Sequence, residues 1–127
     1  MTLYLTVDEI LELQEAQIKV FGGAGGVRDI GLIEVAALRP QVGYYSDLLE
    51  EAAALWESLA MNHGFVDSNK RISYISMEIF LEINGIAVTP DDHTIIRFIH
   101  TALEGGTFTK DVLHDWMKSN TGPFQPD

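Results

Sequence analysis

One stretch of this sequence, residues 62–71, collects side chains that could do chemistry together. It reads Asn62-His-Gly-Phe-Val-Asp-Ser-Asn-Lys-Arg71. An imidazole exchanges a proton near neutral pH, and a carboxylate is a hard oxygen ligand of the kind that Mg²⁺ prefers. Two adjacent cations close the stretch. Because Mg²⁺ is usually held by one or two carboxylates together with substrate phosphates, this combination points to phosphoryl chemistry.

The stretch lies where one predicted helix ends and the next begins, at Asn69. A helix N-terminus carries unpaired N–H groups and a partial positive charge, which together attract anions. Cations in the first turn of a helix cost about 0.3–1 kcal/mol each. Helix stability alone therefore does not explain Lys70 and Arg71, the only adjacent pair of cations in the chain. Phosphate groups bound at this helix start would explain them.

Each residue of the stretch can be given a role on this interpretation. His63 is a candidate general base, and Asp67 is a candidate Mg²⁺ ligand. Phe65 is apolar and is expected to bury itself and hold the loop. Asn69 can form hydrogen bonds either to a phosphate or to the loop backbone.

Plainer interpretations exist for every residue taken singly. They are a surface histidine at His63, a helix cap at Asp67 or Ser68, and a solvated cationic face at Lys70 and Arg71. The coincidence of all these residue types at one junction favours a site.

The charge of the chain excludes several classes of protein. There are 19 acidic and 8 basic residues among 127, for a formal net charge of −11. This balance argues against a broad nucleic-acid surface and against anchoring to an anionic membrane. With no cysteine, disulfides, thiolate nucleophiles and Cys-based metal sites are excluded. The length predicts a single domain over residues 1–127, and the N-terminus does not resemble a signal peptide, so we expect a cytoplasmic protein.

The hydrophobic periodicity predicts an all-α bundle of about six helices. The first predicted helix is capped by Thr6 and ends at Gly22, and a short second helix, capped by Asp29, covers 32–38. Two longer helices are predicted over 48–62 and 69–84. A fifth helix begins at Thr89-Pro-Asp91, and a last one is capped by Thr109 and runs to Met117. The glycine-rich segment from Gly22 to Gly31 reads as an exposed loop. Residues 41–46 are ambiguous, and a frayed tail is expected over 120–127.

Several other residues receive weaker predictions. Ser73 and Ser76 suggest close contact with a neighbouring helix. The apolar residues of the fifth helix, Ile95, Ile96, Ile99 and Leu103, are expected to point inward. Trp56 and Trp116 are expected in the core or in a groove. Tyr44 and Tyr45 line a substrate groove or are simply exposed, and His93, His100 and His114 are structural or surface residues.

The stretch HGFVDSNKR resembles the signature of the Fic/Doc superfamily, H-x-F-x-[D/E]-G-N-[G/K]-R, and is most similar to its death-on-curing (Doc) branch. Upstream, GGAGGVRDIGLIEVAALRPQ is similar to a Gly-rich and Asp-Gly…Glu…Arg-x-Gln stretch at the same distance in that family. The likeness covers about residues 5–90. It implies a compact helical fold and the toxin of a toxin–antitoxin system.

The resemblance also implies roles for the residues. His63 would be the general base and Asp67 would hold Mg²⁺, while Ser68 and Asn69 would form the anion-binding turn. Lys70 and Arg71 would bind the phosphates of ATP. The implied reaction is phosphorylation of a threonine of elongation factor Tu, which stops translation.

Two departures from the family pattern leave alternatives open. Ser68 stands where the family usually has glycine, and Tyr74 stands where adenylylating Fic enzymes carry a second arginine. The alternatives are AMP transfer by a Fic-type adenylyltransferase and a catalytically silent module that binds a nucleotide or peptide. Tyr74 argues against the first, and Ser68 favours the second.

The family's inhibitory motif, [S/T]-x-x-x-E-[G/N], has only an imperfect counterpart. The nearest match, from Ser46 to Glu50, is followed by Glu51 and reads better as a helix start. The resemblance therefore implies a separate Phd-like antitoxin as a partner.

Overall fold

The computed structural model describes residues 1–126 as a bundle of helices with one short antiparallel ribbon. The elements are α1 Val7–Phe21, α2 Ile30–Leu38, a 3-10 turn Arg39–Gln41, α3 Leu48–Met61, α4 Asn69–Glu82, β1 Ile86–Val88, α5 Asp92–Glu104, α6 Lys110–Ser119 and β2 Thr121–Pro123. The six helices confirm the predicted all-α class. Within residues 1–126, no helix has the length and apolar character needed to cross a membrane.

Local side-chain caps set most of the helix starts. At α1, Thr6 and Glu9 form the predicted capping box. Asp29 accepts a hydrogen bond from the Gly31 N–H, so α2 begins at Ile30, two residues earlier than predicted. Thr109 caps α6 as expected. Caps of this kind satisfy N–H groups that have no partner within the helix.

Helix α3 lies at the centre of the bundle, against α2, α4 and α6. Trp56 is fully buried there, with the rings of Tyr74, Phe98, Phe108 and Trp116 within 6.2 Å of its own. Ser73 and Ser76 on α4 are also fully buried, which agrees with the close contact with a neighbouring helix that their small size predicted. This core holds the end of α3 and the start of α4 in a defined relationship.

Two expectations differ from the structure. The predicted frayed tail includes β2, which pairs with β1 in the register Ile86↔Pro123 and Val88↔Thr121. The ladder satisfies backbone groups that fraying would leave to water. Asp127, the last residue of that prediction, lies outside the described residues. Ile95 is buried as predicted, but Ile96 is 53% exposed, because neighbouring helical positions point about 100° apart.

Candidate functional site

The loop between α3 and α4 and the first turn of α4 form one open cleft of about 450 Å³. Its lining residues are His63, Val66, Asp67, Ser68, Asn69, Lys70 and Arg71. All the predicted site residues therefore meet in one place. Phe65 lies behind them and is 2% exposed, as expected of a residue that holds the loop in the core.

His63 occupies an unusual backbone position two residues after the end of α3. Its φ is 54°, in the left-handed region, where glycine is the usual residue after a helix C-terminus. The side chain is exposed and lines the cleft. The chain turns sharply at this residue and delivers the imidazole to the surface, while Phe65, two residues on, enters the core.

Asp67 is held by two backbone N–H groups. Its Oδ2 accepts from Ala24 at 3.2 Å and its Oδ1 accepts from Ser68 at 2.8 Å. These bonds, with Arg71 nearby, hold the pKa of Asp67 below its usual range, so the carboxylate is charged at neutral pH. The exposed side chain thus has a defined orientation.

The donor set at Asp67 fits Mg²⁺ bound together with phosphates. Each carboxylate oxygen accepts one hydrogen bond, and because the residue is exposed both oxygens retain acceptor capacity for a cation. Within residues 1–126, no three His, Asp or Glu side chains are placed to hold a metal together. One carboxylate completed by phosphate oxygens and water is the usual arrangement for Mg²⁺.

Asn69 bonds to the loop backbone rather than pointing into the cleft. Its Oδ1 accepts from the Phe65 N–H at 3.0 Å, and its Nδ2 donates to the Phe65 carbonyl at 3.1 Å. The sequence predicted that this amide bonds either to a phosphate or to the loop backbone, and in the structure it bonds to the backbone. Any contact of Asn69 with a phosphate would use its backbone N–H.

Ser68 and Arg71 interact with each other at the start of α4. Ser68 has φ 66° and its side chain does not cap the helix. Instead its Oγ accepts from Arg71 Nη2 at 2.8 Å, and the same nitrogen donates to the Gly22 carbonyl at 3.1 Å. The guanidinium also lies 5.6 Å from the Phe21 ring. Arg71 therefore joins α4 to the end of α1, while Lys70 is exposed.

The glycine-rich loop packs against the α3–α4 loop that carries the site. This loop was predicted to be exposed, and residues 22–29 are exposed. Their backbone nevertheless forms hydrogen bonds with the α3–α4 loop. Val66 N donates to the Gly26 carbonyl, and Val27 forms an isolated antiparallel bridge with Phe65. A Cβ at Gly23 would lie 3.0 Å from Asp67 Oδ2, so glycine there admits the carboxylate.

Sequence reasoning missed three residues that support the site. Arg28 donates to the carbonyls of His63 and Asn62. Gly64 is buried, and a Cβ there would lie 2.7 Å from Ile33 Cγ1. Gln14, 4% exposed, donates to the Gly26 carbonyl at 3.0 Å. Gln14 was detectable in the sequence, since it is a polar residue four positions from both Ile10 and Ile18 on the apolar stripe of α1.

A larger groove of about 630 Å³ runs beside the cleft between α1, α4 and α5. Lys70 and Arg71 line both depressions. The groove also contains Tyr74, whose hydroxyl donates to Glu78 Oε2 at 2.9 Å. Burial raises the pKa of Tyr74, so the position where adenylylating enzymes carry an arginine holds a neutral phenol.

The remaining weaker predictions divide between structural and surface roles. The stretch from Ser46 to Glu50 is a helix start, because Asp47 caps α3 and Glu50 Oε1 accepts from the Ser46 N–H. His114 pairs with Asp47 at 3.1 Å, and His93 and His100 are exposed. Tyr44 is 87% exposed, whereas the Tyr45 hydroxyl accepts from Arg39 Nε at 2.8 Å.

Comparison with known proteins identifies the family. Residues 4–81, which include the cleft, match a family model described as the Fic/DOC family. The chain is 43% identical over 96 residues to Toxin Doc of Mycolicibacterium smegmatis, covering 72% of each chain. It is 33% identical over 89 residues to Protein kinase doc of Escherichia phage P1, covering 67% of this chain and 71% of that protein. The chain therefore belongs to the Fic/Doc family.

Proposed function

We propose that this chain is a Doc-type toxin that transfers the γ-phosphoryl group of ATP to a hydroxyl of a protein target. The observation that carries the proposal is the cleft itself, in which an exposed imidazole, a charged carboxylate and an ammonium group surround the start of α4. Two relatives add support, since one is named a Doc toxin and the other a Doc protein kinase. By resemblance the target is elongation factor Tu, the outcome is arrested translation, and the protein acts in the cytoplasm.

His63 acts as the general base in this reaction. It removes the proton from the target hydroxyl while the oxygen bonds to the γ-phosphorus. The bond from that phosphorus to the bridging oxygen breaks, and ADP leaves with the electron pair. The exposed position of His63 on the cleft allows a macromolecular substrate to reach it.

The first turn of α4 binds the phosphates. The Ser68 side chain makes no capping hydrogen bond, so the N–H groups of this helix start are open to an anion. Lys70 and Arg71 add positive charge, and Ser68 and Asn69 shape the turn from which these groups project. Asp67 would hold Mg²⁺, which when bound neutralises phosphate charge.

A separate Phd-like antitoxin restrains the activity in this proposal. The toxin name of the relative from M. smegmatis supports a toxin–antitoxin partnership. Within this chain, the only near match to the inhibitory motif is used to begin α3. We expect inhibition to come from another protein.

The test is transfer of label from ATP to elongation factor Tu by antitoxin-free protein. We expect label from γ-labelled ATP and none from α-labelled ATP. His63→Ala should reduce transfer by about 10²-fold or more. His93→Ala, which alters an exposed histidine on α5, should not. Transfer of the α label would instead establish adenylylation.

The silent-module alternative predicts a different set of results. Such a chain would bind Mg·ATP in calorimetry but would neither arrest growth nor label any protein. Ser68→Gly restores the usual family residue and serves as a diagnostic variant. If wild-type protein were inactive and Ser68→Gly active, the serine would be the cause of the lost activity. Wild-type protein that transferred no label would contradict the kinase proposal.

A further inference from the structure

Three successive carbonyl groups, at the C-cap of α3 and just beyond it, accept hydrogen bonds from one residue, Arg28. Its Nε donates to the His63 carbonyl at 2.6 Å and its Nη2 donates to the Asn62 carbonyl at 3.2 Å. Its backbone N–H donates to the Gly64 carbonyl at 2.8 Å. Asn62 is the C-cap of α3, so its carbonyl has no donor within the helix, and a cation there is favoured by the helix dipole. The carbonyls of His63 and Gly64 lie in the loop that follows. Arg28 supplies both the donors and the charge.

The residue at the middle of this contact is the strained one. His63 has φ 54°, and a non-glycine residue in a sparsely populated region costs about 1–3 kcal/mol unless its surroundings hold it there. Relaxation of this backbone would redirect the imidazole away from the cleft. The shortest of the three bonds, from Arg28 Nε, is made to the carbonyl of His63 itself.

We propose that Arg28 is a positioning residue whose guanidinium holds the His63 backbone in the conformation that presents its imidazole to the cleft. This inference rests on the proposed function in that His63 is the general base. The two acceptors belong to consecutive peptide groups and meet two nitrogens of one planar guanidinium. Lysine, a single point charge on a flexible stem, cannot reproduce that geometry.

Removing the guanidinium should leave the fold in place. Gly64 is still held by the backbone N–H groups of Arg28 and Asp29, and Val66 N still donates to Gly26. Phe65 remains buried in the core. Replacing Arg28 therefore changes the orientation of His63 while the backbone hydrogen bonds and Phe65 keep the loop attached to the protein.

The variants are Arg28→Met and Arg28→Lys. Arg97→Met is the matched control, because Arg97 is exposed and makes no side-chain hydrogen bond within the described part of the chain. We expect kcat for γ-phosphoryl transfer to fall about 10–100-fold in both Arg28 variants, with KM for ATP changed less than twofold. Arg97→Met should match wild type.

Two kinetic results would overturn the inference. Full kcat in Arg28→Lys would show that a point charge suffices. A raised KM for ATP with unchanged kcat would show that Arg28 binds nucleotide instead.

The imidazole signals in NMR spectra test the inference without any activity. We expect the His63 ring signals to shift or broaden in both Arg28 variants, while those of His93, His100 and His114 stay in place. The His63 signals are assigned by their loss in His63→Gln. If wild-type protein transferred no label, the kinase proposal would fail but this measurement would still decide the inference. Unchanged His63 signals would refute it.

Discussion

The side-chain amide of Asn69 makes both of its hydrogen bonds to one residue, Phe65, at 3.0 Å and 3.1 Å. The two residues are four positions apart, and between them lies the loop that carries Asp67. The pair closes this loop against the buried ring of Phe65. The loop of the site is thus held by the two hydrogen bonds between Asn69 and Phe65 and by the burial of the Phe65 ring in the core.

Asn69→Ala should loosen the loop and destabilise the protein. A net hydrogen bond contributes about 0.5–1.5 kcal/mol, so losing two should reduce the free energy of unfolding by about 1–3 kcal/mol. Denaturant unfolding measures this change. Asn69→Asp, which keeps the acceptor and loses the donor, should also be destabilised. An Asn69→Ala variant as stable as wild type would show that these two hydrogen bonds do not hold the loop.

Ser68→Gly should be more stable than Ser68→Ala by about 1 kcal/mol. Both variants lack the hydroxyl that accepts from Arg71, but only alanine keeps a Cβ at φ 66°. The two variants are therefore a matched pair that isolates backbone strain. Thermal unfolding of both under identical conditions gives the comparison, and equal Tm values would argue against strain at this position.

Gly64→Ala should be destabilised by about 1–3 kcal/mol, the range for overpacking a filled interior. The added Cβ would lie 2.7 Å from Ile33 Cγ1, so the Ile33 side chain, α2 or the loop must move. Gly25→Ala is the control, because its Cβ would meet no heavy atom within 4 Å. Unfolding curves should show a clear loss for the first variant and little change for the second. The opposite order would mean that α2 does not approach the loop this closely.

Glu78→Gln should stabilise the protein at neutral pH. Burial raises the pKa of Glu78, and neighbouring Glu82 and Asp92 raise it further, whereas the bond from Tyr74 lowers it. The folded protein thus favours the protonated carboxyl of Glu78. Its contribution to the free energy of unfolding is complete below the pKa of the unfolded chain and is lost as the pH rises through the raised pKa of the folded protein. Because the carboxylate is half-exposed, we expect a gain of about 1 kcal/mol or less at pH 7.

The pH dependence of that difference is the informative measurement. Melting temperatures of wild type and Glu78→Gln should converge as the pH is lowered toward 4, where the wild-type carboxyl is protonated. Glu12→Gln, at an exposed position of α1, is the control for replacing a glutamate by glutamine. Glu9 on the same helix is unsuitable for this purpose, because it belongs to the capping box. A difference that did not depend on pH would rule out ionisation as its cause.

The helices of this protein could be predicted from sequence because their starts depend on local interactions. Thr6 with Glu9, Asp29 with Gly31, and Thr109 with Val112 are contacts within three positions, and each appears where the pattern indicated it. The residues of the site could also be predicted, since residues 63–71 are continuous in the chain and contain its only adjacent cations.

The end of the chain shows where local reasoning failed. Residues 120–127 contain glycine and two prolines and no helical pattern, which led to the expectation of fraying. Their order comes from β1, more than thirty positions away, which pairs with Thr121–Pro123. No local signal marks a three-residue strand whose partner is so distant.

By itself, then, the sequence determined the helical class, the caps and the chemical types in the site. The tertiary structure decided how those side chains are held. It brings Arg28 to the carbonyl of His63, 35 positions away, and Ala24 to Asp67, 43 positions away. It also directs the Asn69 amide to Phe65 rather than to the cleft. These contacts depend on how α1, α3 and α4 pack around Trp56 and Phe65, and the helical period of each segment carries no information about that packing.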